Sequence, residues 1–321
     1  MTSVLAKTLR LLDRLLPKGG FRHSVAVLAG GTAMGQVVGA AAAPILTRLY
    51  TPADFGLLTV FTSLLGILSV VASLRLEWAI PLPQDDEEAV TILALALIAL
   101  VMMTGVVGLV ALFAGSWILE AVNASGLEAY LWLFPLGVLA IGGYQVMNYW
   151  AIRMKAFPRI AGTKLRQAFA VVTVQIASGL AGFIPIGLLA GQVCGQAVGT
   201  TRLAGLLSSR DMQTLRRVRR TTLRAALSRY RHFPLVSTGS SLLNITGIRV
   251  PVLMLAAFYG PVVAGLYGLG NRVVATPIQF VSKSISQVYF SELSGMRSER
   301  PEAMITLFLG LTRRLFFMGV G

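Results

Sequence analysis

Arg249 and Arg272 are the side chains of this 321-residue sequence best placed to do chemistry. They fall near the middles of two apolar runs, Leu235–Phe258 and Ala264–Val281, and neither run contains an acid. A charge at that depth is unfavourable in hydrocarbon unless it faces a cavity or a partner. A guanidinium also grips oxyanions bidentately, which an ammonium does not. The two arginines are therefore read as cavity residues for an anionic group; the competing reading is a structural pairing inside the membrane. Arg48 is a weaker candidate, because it lies one turn from the end of its run and can snorkel to the interface. Gln192 and Gln196, one turn apart, and Asn244 can hydrogen-bond either a cargo or another helix. Gln36, Gln145 and Asn148 carry the same ambiguity.

Other chemistries are not supported. No nucleophile–base pair, phosphate-cradling glycine loop or Gly-Lys-Ser/Thr signature occurs, so catalysis and direct ATP use are not expected. No catalytic residue and no cofactor is assigned. Cys194 cannot form an internal disulfide, being the single cysteine, and reads as a small helix-packing residue. His23 and His232 lie far apart with no acidic cluster beside them, so no metal site is expected. Arg75 and Glu77 are two apart and would not face each other on a helix, which favours pairing with other helices. The acidic run Asp85–Glu88 suits the N-terminus of a helix better than a metal.

The elements that must position these residues are membrane spans. The chain is 55% hydrophobic and 13% charged, whereas a soluble domain carries about 25% charged residues. Of its 28 Lys and Arg, 24 fall in four alternate segments between apolar runs: five in Met1–Ser24, five in Ile152–Arg166, nine in Arg202–Phe233 and five in Lys283–Arg314. This alternation is the positive-inside pattern of a multi-pass protein with a cytoplasmic N-terminus. It accounts for the net charge of +15 without nucleic acid, whose binders gather their cations on one face. Runs of about 20 apolar residues span a bilayer as helices. They are Val25–Leu49, Leu57–Leu74, Ala89–Ala114, Tyr130–Ile152, Ala168–Ile186, Gly187–Leu207, Leu235–Phe258 and Ala264–Val281, and a ninth begins near Leu315. Met1–Gly19 places leucines on one side and cations on the other, as an amphipathic helix at the headgroup layer does. Arg202–Phe233, with Arg216, Arg217, Arg219 and Arg220, is a polar linker that also suits anionic lipids.

Two turns repeat. Tyr50-Thr-Pro52-Ala-Asp-Phe-Gly56-Leu57 and Tyr259-Gly-Pro261-Val-Val-Ala-Gly265-Leu266 share Tyr-x-Pro-x-x-x-Gly-Leu, each after a span that contains a proline, Pro44 or Pro251. The expected fold is an all-α membrane protein of two parallel six-helix lobes, the second incomplete. The expected divisions are an amphipathic helix over 1–24, a lobe over 25–207, a basic linker over 208–234 and a partial lobe over 235–321. A truncated sequence is expected on this ground. Parallel repeats about an axis along the membrane normal are a transporter architecture. Small residues every fourth position (Gly31, Gly35 and Gly39 on span one, Gly191 and Gly195 on span six) permit close helix approach or sliding. With Pro44 and Pro251 they are the candidate structural and gating positions.

The stretch Ala43-Pro-Ile-Leu-Thr-Arg-Leu-Tyr-Thr-Pro-Ala-Asp-Phe-Gly56, followed by Arg75-Leu-Glu77 and Asp85-Asp86-Glu87-Glu88-Ala89, resembles the polysaccharide-biosynthesis flippases that export O-antigen and teichoic-acid precursors. The resemblance implies a non-enzymatic flippase of the bacterial inner membrane that moves an undecaprenyl-pyrophosphate-linked glycan by alternating access. Arg249 and Arg272 would then hold the diphosphate or a glycan carboxylate. The implied partners are the lipid-linked glycan, membrane lipids, and polysaccharide polymerase and chain-length machinery. Two alternatives stay open: a multidrug exporter of the same superfamily, for which acidic cavity residues are expected, and an integral-membrane glycosyltransferase or ligase, which needs catalytic carboxylates or a large soluble loop.

Overall fold

In a computed structural model of the chain, residues 20–296 are described, with side chains at 23–270, 286, 287 and 290. The amphipathic helix expected over Met1–Gly19, the run from Leu315 and the side chain of Arg272 lie outside the described residues. Helices account for the fold: α1 (Gly20–Leu49), α2 (Pro52–Val71), α3 (Asp86–Ala121), α4 (Leu133–Arg153), α5 (Phe157–Leu180), α6 (Ile186–Ala204), α7 (Ser209–Arg217), α8 (Arg220–Arg229) and α9 (Thr238–Met296). Single turns of 3-10 helix at Leu76–Ala79 and Ser125–Tyr130 join α2 to α3 and α3 to α4. No strand occurs among the described residues.

The helix boundaries follow from local chemistry. Asp85 caps α3 by accepting from the Glu88 amide at 3.2 Å, and acids fill the first turn, where the helix dipole favours them. The acidic run is thus a helix start. At the other end of α3, Asn123 takes a left-handed conformation. It donates to Glu120 O while Ala124 donates to Leu119 O, which closes the helix in a Schellman motif. Lys155 after α4 and Gly182 after α5 end their helices in the same way.

The basic linker is not simply a polar connection. Ser208 and Asp211 form a reciprocal capping box that starts α7, and α8 follows it. Helix α5 begins at Phe157, well before the apolar run at Ala168. The helix therefore carries Arg159, Lys164 and Arg166 on its first turns, because nothing between Phe157 and the apolar run breaks it.

Four segments among the described residues are long and apolar enough to cross a membrane: His23–Leu49, Pro52–Val71, Asp86–Ala121 and Phe233–Gly270. On α3, Met102, Leu112, Phe113 and Trp117 stand exposed, Phe113 at 82%. A continuous apolar face of this kind belongs in lipid. The chain is an all-α membrane protein.

Two apolar cores hold the bundle. One gathers Leu28, Leu76, Ile92, Trp150, Phe157 and Tyr230 at the end where the basic loops lie. The other gathers Tyr50, Phe61, Leu127, Phe134 and Leu188 toward the opposite end, together with Ala256 and Ala264 of α9. Helix α9 packs more extensively on α2 than on any other element. It is interrupted once, at Gly260, whose φ of 82° and ψ of 169° leave the helical region. A φ of that sign suits glycine because no Cβ obstructs it.

Candidate functional site

Arg249 lies on the first half of α9, against α2. Its side chain crosses Gly66: a Cβ built there would be 3.0 Å from Arg249 Nε. The approach depends on glycine, since any side chain at 66 would displace the guanidinium. Arg249 Nε is buried and has no hydrogen-bond partner. An unsatisfied buried donor is uncommon. Here it belongs to a charged group that can meet an oxyanion through two N–H bonds. Val252 and Ala256 of the same helix are buried, and Ala256 packs in the core to which α2 contributes. A charged group with an unspent donor thus stands at the α2–α9 interface.

The other predicted residues are spread out. Arg48 and Asn244 are exposed. Gln192 is half-buried. Gln196 accepts a hydrogen bond from Gln167 Nε2 at 3.2 Å, so its carbonyl serves the α5–α6 interface and its amide nitrogen is left for another acceptor. Pro44 and Pro251 are exposed. Gly31 and Gly35 seat α1 on Ala161 and Lys164 of α5, Gly191 and Gly195 seat α6 on Gln175 and Val171 of α5, and Gly39 has nothing within 4 Å.

The structure corrects two expectations. Arg75 and Glu77 do pair with each other, at 3.4 Å. Leu74 and Arg75 are both left-handed and Leu76–Ala79 is a 3-10 turn, so the helical spacing rule does not apply there. Cys194 is exposed rather than packed between helices of the described chain.

Lys164 and Gln167 are not among the residues the sequence singles out, because Lys164 falls in a basic segment between apolar runs. Lys164 Nζ donates to Gln167 Oε1 at 3.3 Å and stands 4.3 Å from the centre of the Tyr144 ring. Gln167 then reaches Gln196, and Gln175 on the same face donates to Leu188 O at 3.0 Å. The spacing of 164, 167 and 175 puts them on one side of α5, and that periodicity was the available signal.

At the basic end, Arg153 of α4 donates to the carbonyls of Pro83 and Asp85 and to the Asp86 carboxylate. Arg229 of α8 pairs with Glu88 at 2.9 Å, and the Tyr230 hydroxyl donates to the same carboxylate at 3.2 Å. The start of α3 thereby anchors both α4 and the basic linker. No cluster of metal-ligating side chains occurs among the described residues.

Residues 45–318 match the sequence profile of a family described as polysaccharide biosynthesis protein. Over 275 residues the chain is 27% identical to the succinoglycan biosynthesis transport protein ExoT of Rhizobium meliloti (strain 1021). The aligned region is 83% of this chain and 52% of that relative, so the chain spans about half the relative's length. No solved structure matches. The matched span contains the α2–α9 interface, Arg249, and both copies of the repeated turn, and by that match the chain belongs to the polysaccharide biosynthesis protein family.

Proposed function

We propose that this chain is a flippase that carries an undecaprenyl-pyrophosphate-linked oligosaccharide across the bacterial inner membrane for surface polysaccharide biosynthesis, by alternating access of two lobes. The observation that carries the reading is Arg249. Its guanidinium sits at an interface between apolar helices with one donor unspent, and a pyrophosphate is the anionic part of such a cargo. Family membership and the transport name of the relative support export over catalysis. The basic loops and the N-terminus lie on the cytoplasmic side in this reading. Arg272 is the second cargo-binding residue in this reading, by its place in an apolar run.

The test is a strain lacking its own exporter. Wild-type protein restores surface polysaccharide there. Arg249→Ala reduces it roughly 10- to 100-fold, the equivalent of about 1.5–3 kcal/mol for a hydrogen bond to a charged group, while membrane levels of the protein stay normal. Arg249→Lys recovers part of the loss, because it keeps the charge without the fork. Full export by Arg249→Ala and Arg272→Ala alike removes the arginines from the cargo site.

A further inference from the structure

The two copies of the repeated turn meet each other, and they do so reciprocally. Gly56 of the first copy lies under Pro261 of the second, so closely that a Cβ at 56 would collide with the Pro261 carbonyl. Gly265 of the second copy lies on the first, where a Cβ would stand 2.8 Å from Pro52 O and 2.8 Å from Gly56 N. Each copy therefore places its proline, the first helical residue, over the glycine four positions later in the other. Residue i touching j while j′ touches i′ is the signature of a two-fold relation between equivalent surfaces. Both glycines are buried. The contact continues inward, where a Cβ at Gly268 would lie 3.3 Å from Thr59 Cβ. Arg249 meets α2 at Gly66, ten residues beyond Gly56, so that contact lies about 15 Å from the crossing along the helix.

The two turns are built differently. Thr51 caps α2 in the extended region, with φ of −79°, and its amide and hydroxyl both donate to the Asp54 carboxylate, at 2.8 and 2.7 Å. Tyr50 beside it is buried, and its hydroxyl donates to Gln175 O at 2.7 Å, which ties this turn to α5. The equivalent of Thr51 is Gly260, which has no side chain to cap with, and the equivalent of Asp54 is Val263. The first turn is held by side chains; the second changes direction on backbone alone.

We infer that these reciprocal proline-on-glycine contacts are the seal at one end of the transport path, and that it opens by rotation of the second turn about Gly260 while the Thr51 turn stays fixed. The inference rests on the transport reading above. The seal lies at the end opposite the basic loops, and α2 and α9 cross closely enough there to leave no room for a side chain at either glycine.

A disulfide tests it. With Cys194→Ala to remove the native thiol, Thr59→Cys and Gly268→Cys bring their Cβ atoms near the roughly 3.5–4.5 Å a disulfide spans. Oxidation should join them, read as a loss of two free thiols, and should cut export at least tenfold in the same cells. Reductant should restore export, and whatever export each single-cysteine protein supports should not change with oxidant. A bond that forms without affecting export overturns the seal, as does failure of the thiols to pair in folded protein. If the double variant does not fold, Thr59→Cys alone serves. A membrane-impermeant maleimide should then label it at least tenfold faster when Gly56→Val props the crossing apart, and equal rates overturn the proposal. Wild-type protein that exports no polysaccharide removes the transport reading itself, a result separate from either of these.

Discussion

Glu77 is 0% exposed in the turn between α2 and α3. Its carboxylate accepts from the Ser73 hydroxyl and pairs with Arg75 at 3.4 Å. The Arg75 guanidinium lies 4.7 Å from the centre of the Trp78 ring, and its Nε is buried without a partner. At an effective dielectric near 20, the Arg75 and Glu77 charges, 3.4 Å apart, attract by about 5 kcal/mol. Removing both ions from water costs several kcal/mol each, so the intact pair is close to neutral while a broken one is not. Glu77→Ala should therefore lower stability by about 3–5 kcal/mol, because Arg75 keeps its charge with 15% of its side chain exposed. Arg75→Ala should cost less, about 1–3 kcal/mol, because Glu77 can take up a proton instead. In the double variant the losses should overlap by about 1–3 kcal/mol. Unfolding in detergent micelles across the four proteins measures this. Additivity within about 0.5 kcal/mol would refute the pairing.

The same carboxyl fixes a pH dependence. Burial holds the Glu77 pKa above the ordinary carboxylate range, by more than the Ser73 hydrogen bond and Arg75 draw it down. The folded protein thus binds this proton more tightly than the unfolded chain does. Its contribution is complete below the ordinary carboxylate pKa and is lost as pH rises through the elevated folded value. Wild-type stability should fall as pH rises above the ordinary carboxylate range, and Glu77→Gln should flatten that decline. Equal slopes in the two proteins would show that Glu77 does not titrate as the fold requires.

Two further outcomes concern topology and the basic end. A reporter active only in the cytoplasm should work when fused after Arg220 and fail when fused after Asp54 or Glu128; activity at Glu128 would overturn the span count. Arg153→Ala should destabilise by about 1.5–3 kcal/mol, since its side chain is 11% exposed and its guanidinium serves the Pro83 carbonyl. Asp86→Ala should cost under about 1 kcal/mol, as that side chain is 76% exposed. Equal losses from the two, again by unfolding in micelles, would mean the ion pair rather than the carbonyl contacts holds α4 to α3.

What could be read from the sequence depended on whether a residue's neighbours are local. Asp85–Glu88 announced a helix start because capping acts within one turn. Ser208 and Asp211 carry the same signal for α7, but a helix of polar residues has no apolar period to confirm it. Arg75 and Glu77 were kept apart by a spacing rule for helices, and only the left-handed backbone at Leu74 and Arg75 brings them together. Arg249 was legible as a charge in an apolar run, but its approach to Gly66 was not, because the two lie far apart in the sequence. The matched turns at Tyr50 and Tyr259 identify equivalent positions and nothing about distance. Equivalent points of two copies lie far apart unless the axis relating them passes close by. The reciprocal contacts of Gly56 with Pro261 and Gly265 with Pro52 put such an axis between these turns. Rotation of the second turn about Gly260 must separate both contacts together, because each glycine lies under the other turn. For that reason the seal is assigned to this crossing and not to the remainder of α2.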